Sequence, residues 1–241
     1  MKRFFYDLHI HSCLSPCGDD DMTVCNIAGM AYIKGLRIAA LTDHNTTDNT
    51  PAFFIACERQ GIIPVAGAEV TTAEEIHLLC LFPTLKSALS FGRELHSRRM
   101  PVKNKPDIFG KQQILDEDDN IIGEEPYLLI PATQFTLEEA TATALSYGGA
   151  AIPAHIDRPT NGILAILGTM PDKPHFDYIE LADRANRDKI DIGERHVIVD
   201  SDAHYLENIN EAENSISLDV DDDADDDAVR AALIAKLRGN T

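Results

Sequence analysis

Short apolar runs alternate with longer segments of helical spacing along most of this 241-residue chain. Seven runs are typical of strands, at 4–10, 36–41, 62–65, 76–82, 150–153, 178–181 and 196–199. Segments with helical spacing lie at 23–34, 51–60, 85–98, 137–147, 163–167, about 185–194 and 228–237. Continuous apolar strands separated by helices are typical of a parallel sheet that is covered on both faces. The pattern predicts an α/β fold, a closed or nearly closed parallel barrel, with an open doubly wound sheet as the alternative.

Two segments interrupt this alternation. The stretch 101–126 follows the fourth predicted strand and indicates an insertion, in which 113–115 and 120–122 could pair as a hairpin. Seven of the nine residues 219–227 are Asp, and we expect a solvated loop whose last carboxylates cap the final helix. Because no linker divides the chain, residues 1–241 are expected to form a single domain.

Charge and cysteine usage narrow the class of protein. Lys and Arg total 21 against 40 Asp and Glu, which gives a net charge of −19. A chain this acidic is not expected to bind nucleic acid through an extended basic surface. The five cysteines lack framework spacing, no apolar run is long enough to span a membrane, and the first residues do not form a signal peptide. We therefore expect a cytoplasmic protein with reduced thiols and no membrane partner.

Six of the nine histidines, with several carboxylates, fall at the ends of predicted strands. In a parallel α/β fold the carboxyl ends of the strands share one face, so we expect these side chains to converge there. His77 fits this placement less well, because it lies at the start of the fourth predicted strand and not at its end. Imidazole combined with carboxylate suits Zn²⁺, Mn²⁺ or Fe²⁺. The residues concerned are His9, His11, His44, Glu69, His77, His155, Asp202 and His204.

The motifs around these residues resemble those of the PHP (polymerase and histidinol phosphatase) superfamily. They are DLHIHS at 7–12, LTDHN at 41–45, GAEV at 67–70, PAH at 153–155 and DSDAH at 200–204. The resemblance spans most of the chain and implies a distorted seven-stranded (β/α)7 barrel, with 101–126 as an insertion after the fourth strand. It also implies a stand-alone metal-dependent phosphoesterase.

By this resemblance the site would hold two or three divalent ions. The first would be held by His9, His11, Glu69 and Asp202. The second would share Glu69 and be held also by His77 and His155. The third would lie among Asp19, His44 and His204. At this last step the chain departs from the pattern of the small phosphoesterases, because it has SPCGDDDMT at 15–23 instead of a short Ser-Asp-Gly, and Asp20 is an alternative to Asp19.

The expected reaction is hydrolysis of a small phosphate ester by a metal-activated hydroxide. Arg158, three residues after His155, is the expected phosphate ligand because a guanidinium offers paired donors to phosphate. Lys105 on the insertion could bind a further phosphate. His204 or His44 could protonate the leaving oxygen.

Several functions remain open from the residues alone. The expected substrate is a nucleotide or the end of a short oligonucleotide, and histidinol phosphate is an alternative within the same class. An amidohydrolase barrel also begins with His-x-His, but no Lys lies on the seven predicted strands to bridge its metals. A non-catalytic metal-binding module is the third possibility.

Overall fold

The computed structural model describes residues 1–239 and has a mixed α/β architecture. Its strands are β1 (Lys2–Ile10), β2 (Ile38–Leu41), β3 (Ile63–Thr71), β4 (His77–Phe82), β5 (Gln113–Leu115), β6 (Ile121–Glu124), β7 (Ala150–Pro153), β8 (Tyr178–Leu181), β9 (His196–Val199) and β10 (Ser215–Leu218). Its helices are α1 (Val24–Ile33), α2 (Thr50–Gln60), α3 (Leu85–Arg98), α4 (Pro106–Phe109), α5 (Leu137–Ser146), α6 (Ile163–Leu167) and α7 (Asp226–Leu237). Two 3₁₀ turns span Arg184–Asn186 and Leu206–Asn208.

Six strands form the main sheet, in the order β10-β1-β2-β3-β4-β7. The strands β8 and β9 form a separate parallel pair. Backbone hydrogen bonds connect this pair to both sides of the main sheet: the Ile156 N–H donates to the Glu180 carbonyl, and the His11 N–H donates to the Ala203 carbonyl. The sheet therefore curls toward a ring, and the ends of β1 and of the chain after β9 lie side by side.

The prediction of an all-parallel arrangement was wrong at β4. This strand runs antiparallel to both β3 and β7, whereas β1, β2 and β3 run parallel to one another. The link between β3 and β4 covers only residues 72–76, which is too short for the crossover that a parallel neighbour needs. As a result the first residue of β4, His77, lies at the same edge as the last residues of β3.

All seven predicted strands are present in the described residues, but two other details differ. The predicted helix at about 185–194 is replaced by a 3₁₀ turn and loops, where Asp183 and Asp191 side chains accept backbone N–H groups two residues further on. Such local hydrogen bonds compete with helix formation. The strand β10, which pairs with the first half of β1, was not predicted.

Local signals explain where the other helices begin. Thr23, Thr84 and Thr136 each accept an N–H of the first helical turn of α1, α3 and α5. The Asp225 carboxylate caps α7 in the same way, which confirms the capping expected of the acidic segment. The sheet is covered by these helices, and β3 and β4 are buried along their full lengths.

The segment 101–126 contains the antiparallel hairpin of β5 and β6 that the sequence predicted, with the second strand at Ile121–Glu124, and the short helix α4, which was not predicted. In the part of the chain that the structure describes, no helix has the length and apolar character required to cross a bilayer.

Candidate metal centre

The curl of the sheet brings eight predicted side chains together at one edge. His9 lies near the end of β1, and His11 follows it directly. Glu69 lies on β3 and pairs in parallel register with His44, which follows β2. The others reach the same edge from the start of β4 and from the ends of β7 and β9, and they are His77, His155, Asp202 and His204.

Glu69 lies at the centre of this group and is fully buried. Its Oε1 lies 2.7 Å from His77 Nδ1, 3.0 Å from His155 Nε2 and 3.4 Å from His9 Nε2. On the other side, Glu69 Oε2 lies 2.8 Å from His44 Nδ1 and 3.4 Å from His11 Nε2. A single carboxylate thus faces five imidazoles, with different rings on its two oxygens.

The two rings of the His-x-His motif point bare nitrogens at each other. His9 Nδ1 lies 2.9 Å from Glu180, an acceptor, and therefore carries the proton of the neutral ring. The Ser15 hydroxyl donates its only proton to Asp43 at 2.7 Å, so at 2.9 Å it accepts from His11 Nδ1. The two Nε2 atoms, 3.1 Å apart, then both present lone pairs. Such a contact requires a proton or a metal ion between the rings.

The separations of the donor atoms fit ligands of a common ion. Asp202 Oδ1 lies 3.2 Å from His9 Nε2 and 3.0 Å from His11 Nε2. Ligands at about 2.0–2.1 Å from an ion such as Zn²⁺ stand roughly 3.0–3.4 Å from one another. Within residues 1–239 four buried ligand atoms form no hydrogen bond, because their close contacts with one another do not have hydrogen-bond geometry; they are His44 Nδ1, Glu69 Oε2, His77 Nδ1 and Asp202 Oδ1. The residues present therefore fit a divalent metal centre.

Three overlapping sets of donors lie within 4.8 Å of one another among the described residues. They are His9, His11, Glu69 and Asp202; then His44, Glu69 and His77; and finally His11, His44 and His204. The first set is the one expected for the first ion. The other two differ from expectation in part, because His44 and His11 take places that the resemblance gave to His155 and Asp19.

The predicted third-ion ligand Asp19 lies beside the cluster but is not grouped with it. Its backbone N–H donates to the His204 carbonyl at 3.0 Å, while its carboxylate accepts the Asp21 N–H at 2.9 Å. Asp20 is exposed, and neither Cys13 nor Cys17 joins any donor set in the described residues. A ligand role for Asp19 stays a prediction.

The histidines of the cluster divide into those whose pKa is raised and those whose pKa is lowered by their surroundings. Burial would lower the pKa of His11, but the Asp202 and Glu69 carboxylates raise it to about 9. Burial lowers the pKa of His44 to about 4, and burial with the neighbouring His11 lowers that of His204 to about 3. Burial alone would raise the pKa of Glu69, yet the surrounding imidazoles hold it well below its usual range.

Two of the cluster residues have strained backbones. His155 has a φ of +29° and Asp202 a φ of +50°, in a region that non-glycine residues rarely adopt. Such conformations persist where the surrounding structure imposes them, and they are concentrated at functional sites. His155 lies two residues after β7 and Asp202 three residues after β9, so both strained positions are in the loops that carry cluster residues.

Buried carboxylates that the sequence analysis did not assign hold the ligand rings in place. Glu180 on β8 accepts from His9 Nδ1 and, at 2.8 Å, from the His155 N–H. Asp43 accepts the Ser12 N–H and the Ser12 and Ser15 hydroxyls, each at 2.7 Å. The available signal for Glu180 was a single carboxylate within an apolar strand, because a buried charge requires partners.

The predicted substrate ligands occupy different positions. Arg158 forms an ion pair with Asp202 Oδ2 at the edge of the cluster, and its side chain is 39% exposed. Lys105 directly precedes α4 and is exposed, with no ion pair among residues 1–239. His96, His175 and His196, which were not expected to bind metal, are exposed and belong to no donor set in the described chain.

Comparison with known protein families identifies the family to which this chain is similar. Residues 7–207 match the model of the PHP domain. The 5′-3′ exoribonuclease of Haemophilus influenzae is 30% identical over 102 residues, which is 39% of this chain and 36% of the exoribonuclease.

Solved structures share the fold at low sequence identity. The lesion-specific endonuclease PfuEndoQ of Pyrococcus furiosus matches with a TM-score of 0.67 and 19% identity, covering 100% of this chain and 57% of its own. Endonuclease Q in complex with a 27-mer duplex carrying an abasic lesion matches with a TM-score of 0.69 and 20% identity, again covering 100% of this chain and 57% of its own. A protein of Bifidobacterium adolescentis described as a metal-dependent phosphoesterase matches with a TM-score of 0.61 and 19% identity, covering 95% of both chains. The chain thus spans about a third of the exoribonuclease and just over half of the endonuclease chains.

Proposed function

The chain belongs to the PHP domain family of hydrolases that act on phosphate ester bonds, and we propose that it is a metal-dependent phosphoesterase acting on a nucleotide or an oligonucleotide end. One observation carries the proposal: six imidazoles and two carboxylates converge at one sheet edge with bare nitrogens facing each other. Such a donor set suits two or three Zn, Mn or Fe ions. The seven-stranded barrel of the family belongs to the same proposal, and the hydrogen bonds linking β8 and β9 to the main sheet support it.

The first ion would be held by His9, His11, Glu69 and Asp202. Further ions would be held by His44, His77, His155 and His204, with Glu69 shared and Asp19 as a further ligand of the third. Bound divalent ions lower the pKa of water and neutralise phosphate oxygens. Because Glu180 and Ser15 fix the rings of His9 and His11, the protein would keep their Nε2 atoms directed at the ions without rearrangement.

Arg158 would bind the phosphate. Its ion pair to Asp202 uses one terminal nitrogen, and the partly exposed guanidinium retains further donors for an anion. Lys105 would contribute from the insertion. His204 donates its Nδ1 proton to the Asp202 carbonyl at 2.8 Å and has a lowered pKa, so its bare Nε2 favours a ligand role over protonation of the leaving oxygen.

The choice of a nucleotide substrate is supported by the relatives, which include an exoribonuclease and an endonuclease solved with a DNA duplex. Histidinol phosphate remains the alternative within the class. The acidic net charge does not oppose an anionic substrate, because two or three divalent ions would add four to six positive charges locally.

Phosphate release from a panel of esters tests the proposal. Protein loaded with Mn²⁺ would be given p-nitrophenyl phosphate, nucleoside monophosphates, 3′,5′-bisphosphates, a short RNA and histidinol phosphate, with metal content determined on the same sample. We expect release that is lost in His9→Ala and retained in His175→Ala, an exposed histidine outside the cluster. Bound metal with no turnover of any ester would instead favour a non-catalytic metal-binding module.

A further inference from the structure

A basic segment stands beside the metal centre in a chain that is otherwise strongly acidic. Residues 93–111 contain six Lys and Arg against two Asp and Glu, a local charge of +4 in a chain of net charge −19. The segment includes the end of α3, the first part of the insertion and α4. Its charge is therefore opposite to that of the chain as a whole.

Three lysines of this segment have no acidic partner within residues 1–239. Lys103, Lys105 and Lys111 are exposed and form no ion pair. By contrast, Arg99 pairs with Glu125 at 2.8 Å and is buried. The lysines thus remain available to a phosphate, whereas the arginine serves the packing of the insertion.

An exposed aromatic ring lies beside these lysines. Lys103 and Tyr127 are opposite each other in an isolated antiparallel bridge, and the Leu128 N–H donates to the Val102 carbonyl at 2.7 Å. Side chains of directly opposed residues lie on the same face of an antiparallel pair. Tyr127 is 38% exposed, so an ammonium group and an aromatic ring are presented side by side.

The basic segment is connected to the metal centre through a short series of contacts. Asn104 Nδ2 donates to the Gly110 carbonyl at 2.8 Å, and Gly110 packs on the carbonyl of Pro16, which would stand 3.4 Å from a Cβ at that glycine. Pro16 follows Ser15, the residue whose hydroxyl holds His11. The basic segment and the ion-binding rings therefore border the same loop.

We propose that Lys103, Lys105, Lys111 and Tyr127 form a surface, termed the insertion surface, that binds a single-stranded polynucleotide whose end lies at the metal centre. Alternating phosphates and bases are matched by unpaired lysines and by an aromatic ring on which a base can stack. This inference rests on the proposed function for the position of the strand end. It assigns the substrate class as an oligonucleotide rather than a mononucleotide.

Binding of a labelled ten-nucleotide strand with phosphorothioate linkages, which resist hydrolysis, tests the insertion surface. Fluorescence anisotropy would be recorded over a range of salt concentrations, with RNA and DNA arms, on metal-loaded protein. The variant Lys103→Ala/Lys105→Ala would be compared with Lys86→Ala/Lys173→Ala, which removes the same charge from exposed positions elsewhere.

We expect the first double variant to bind about tenfold more weakly and to flatten the slope of log K against log salt by roughly 1.4, at about 0.7 per phosphate contact. Tyr127→Ala should weaken binding by a similar factor with the slope unchanged, and Tyr127→Phe should bind like the wild type. Rates on p-nitrophenyl phosphate should stay the same in Tyr127→Ala and Tyr127→Phe, which change no residue proposed to bind the phosphate of this small ester. Equal affinity and slope in the two double variants, or no binding of either strand, would overturn the inference.

The two proposals fail separately. If esters are hydrolysed but the Lys103→Ala/Lys105→Ala protein binds the strand like its control, the insertion surface is wrong and the phosphoesterase stands. If no ester is hydrolysed while strand binding depends on these lysines, the surface stands and the proposed reaction is wrong.

Discussion

The Glu180 carboxylate accepts the Nδ1 proton of His9 at 2.9 Å, while Nε2 of the same ring faces the Glu69 and Asp202 carboxylates. The second oxygen of Glu180 accepts the His155 N–H at 2.8 Å. One buried side chain thus fixes the tautomer of one ligand ring and the backbone that carries another. Such outer contacts commonly determine metal affinity.

Replacing Glu180 by Gln should weaken metal binding although it preserves the size of the side chain. Gln offers one acceptor and one donor, whereas His9 Nδ1 and the His155 N–H both require an acceptor. We expect a loss of about 10–100-fold in metal affinity, measured by competition with a chelator. Glu58→Gln, an exposed carboxylate on α2, serves as the control, and an unchanged affinity in Glu180→Gln would show that this contact does not orient the ring.

Replacing Glu69 by Gln should remove more than one ion. Its two oxygens face different sets of imidazoles, so a neutral amide loses charge toward both sets and places donor hydrogens against one of them. We expect metal stoichiometry, determined by elemental analysis, to fall by at least one ion per chain and phosphate release to disappear. Full metal content in this variant would contradict a shared ligand role.

Loss of Arg158 should impair the reaction without loss of metal. Arg158→Ala removes the guanidinium proposed to bind the phosphate, and we expect kcat/KM on phosphate esters to fall about 10²–10³-fold. Arg158→Lys should recover part of this loss, since it restores charge but not paired donors. Arg59→Ala, which removes an arginine from an exposed pair with Asp118, is the matched control. Unchanged kinetics in Arg158→Ala would exclude the phosphate role.

Metal binding at neutral pH should release protons. Although burial opposes it, the pKa of His9 is raised well above its usual range by Glu180, Asp202 and Glu69, and that of His11 to about 9 by Asp202 and Glu69. In the metal-free protein a proton is therefore held on the Nε2 side of these two rings at pH 7, and it must leave when a metal binds because a metal ligand must be neutral.

Metal affinity should rise with pH up to about 9, because fewer protons then have to be displaced. Calorimetry at pH 7 in two buffers of different ionisation enthalpy would measure the protons released. His44 and His204, whose pKa values are lowered, should contribute none. Identical heats in the two buffers would contradict this reading.

The sequence predicted the convergence of the histidines because strand ends can be located from apolar runs and share an edge. It placed His77 loosely, since an apolar run carries no information on strand direction. The antiparallel course of β4 resolves this placement and puts His77 Nδ1 2.7 Å from Glu69. The short link before β4 was the available signal, and it was obscured because β3 extends to Thr71, beyond the predicted end of that strand.

The supporting contacts were harder to predict than the ligands. Glu180 and Ser15 are separated from the rings they hold by 171 and 4 residues, and neither belongs to a spacing pattern with its partner. The course of residues 185–194 depends on side chains that cap local turns, which helical spacing alone does not reveal. Tertiary hydrogen bonds of this kind can be identified only from the folded structure, in which the curled sheet brings the two partners together.

Anomalous diffraction from crystals of the Mn²⁺-loaded protein, recorded on both sides of the manganese absorption edge, tests the central claim most directly. We predict at least two peaks at the sheet edge, one within bonding distance of His9 Nε2, His11 Nε2 and Asp202, and another within bonding distance of Glu69 and His77. Absence of anomalous density among these side chains, in protein whose metal content is confirmed by elemental analysis, would contradict the account.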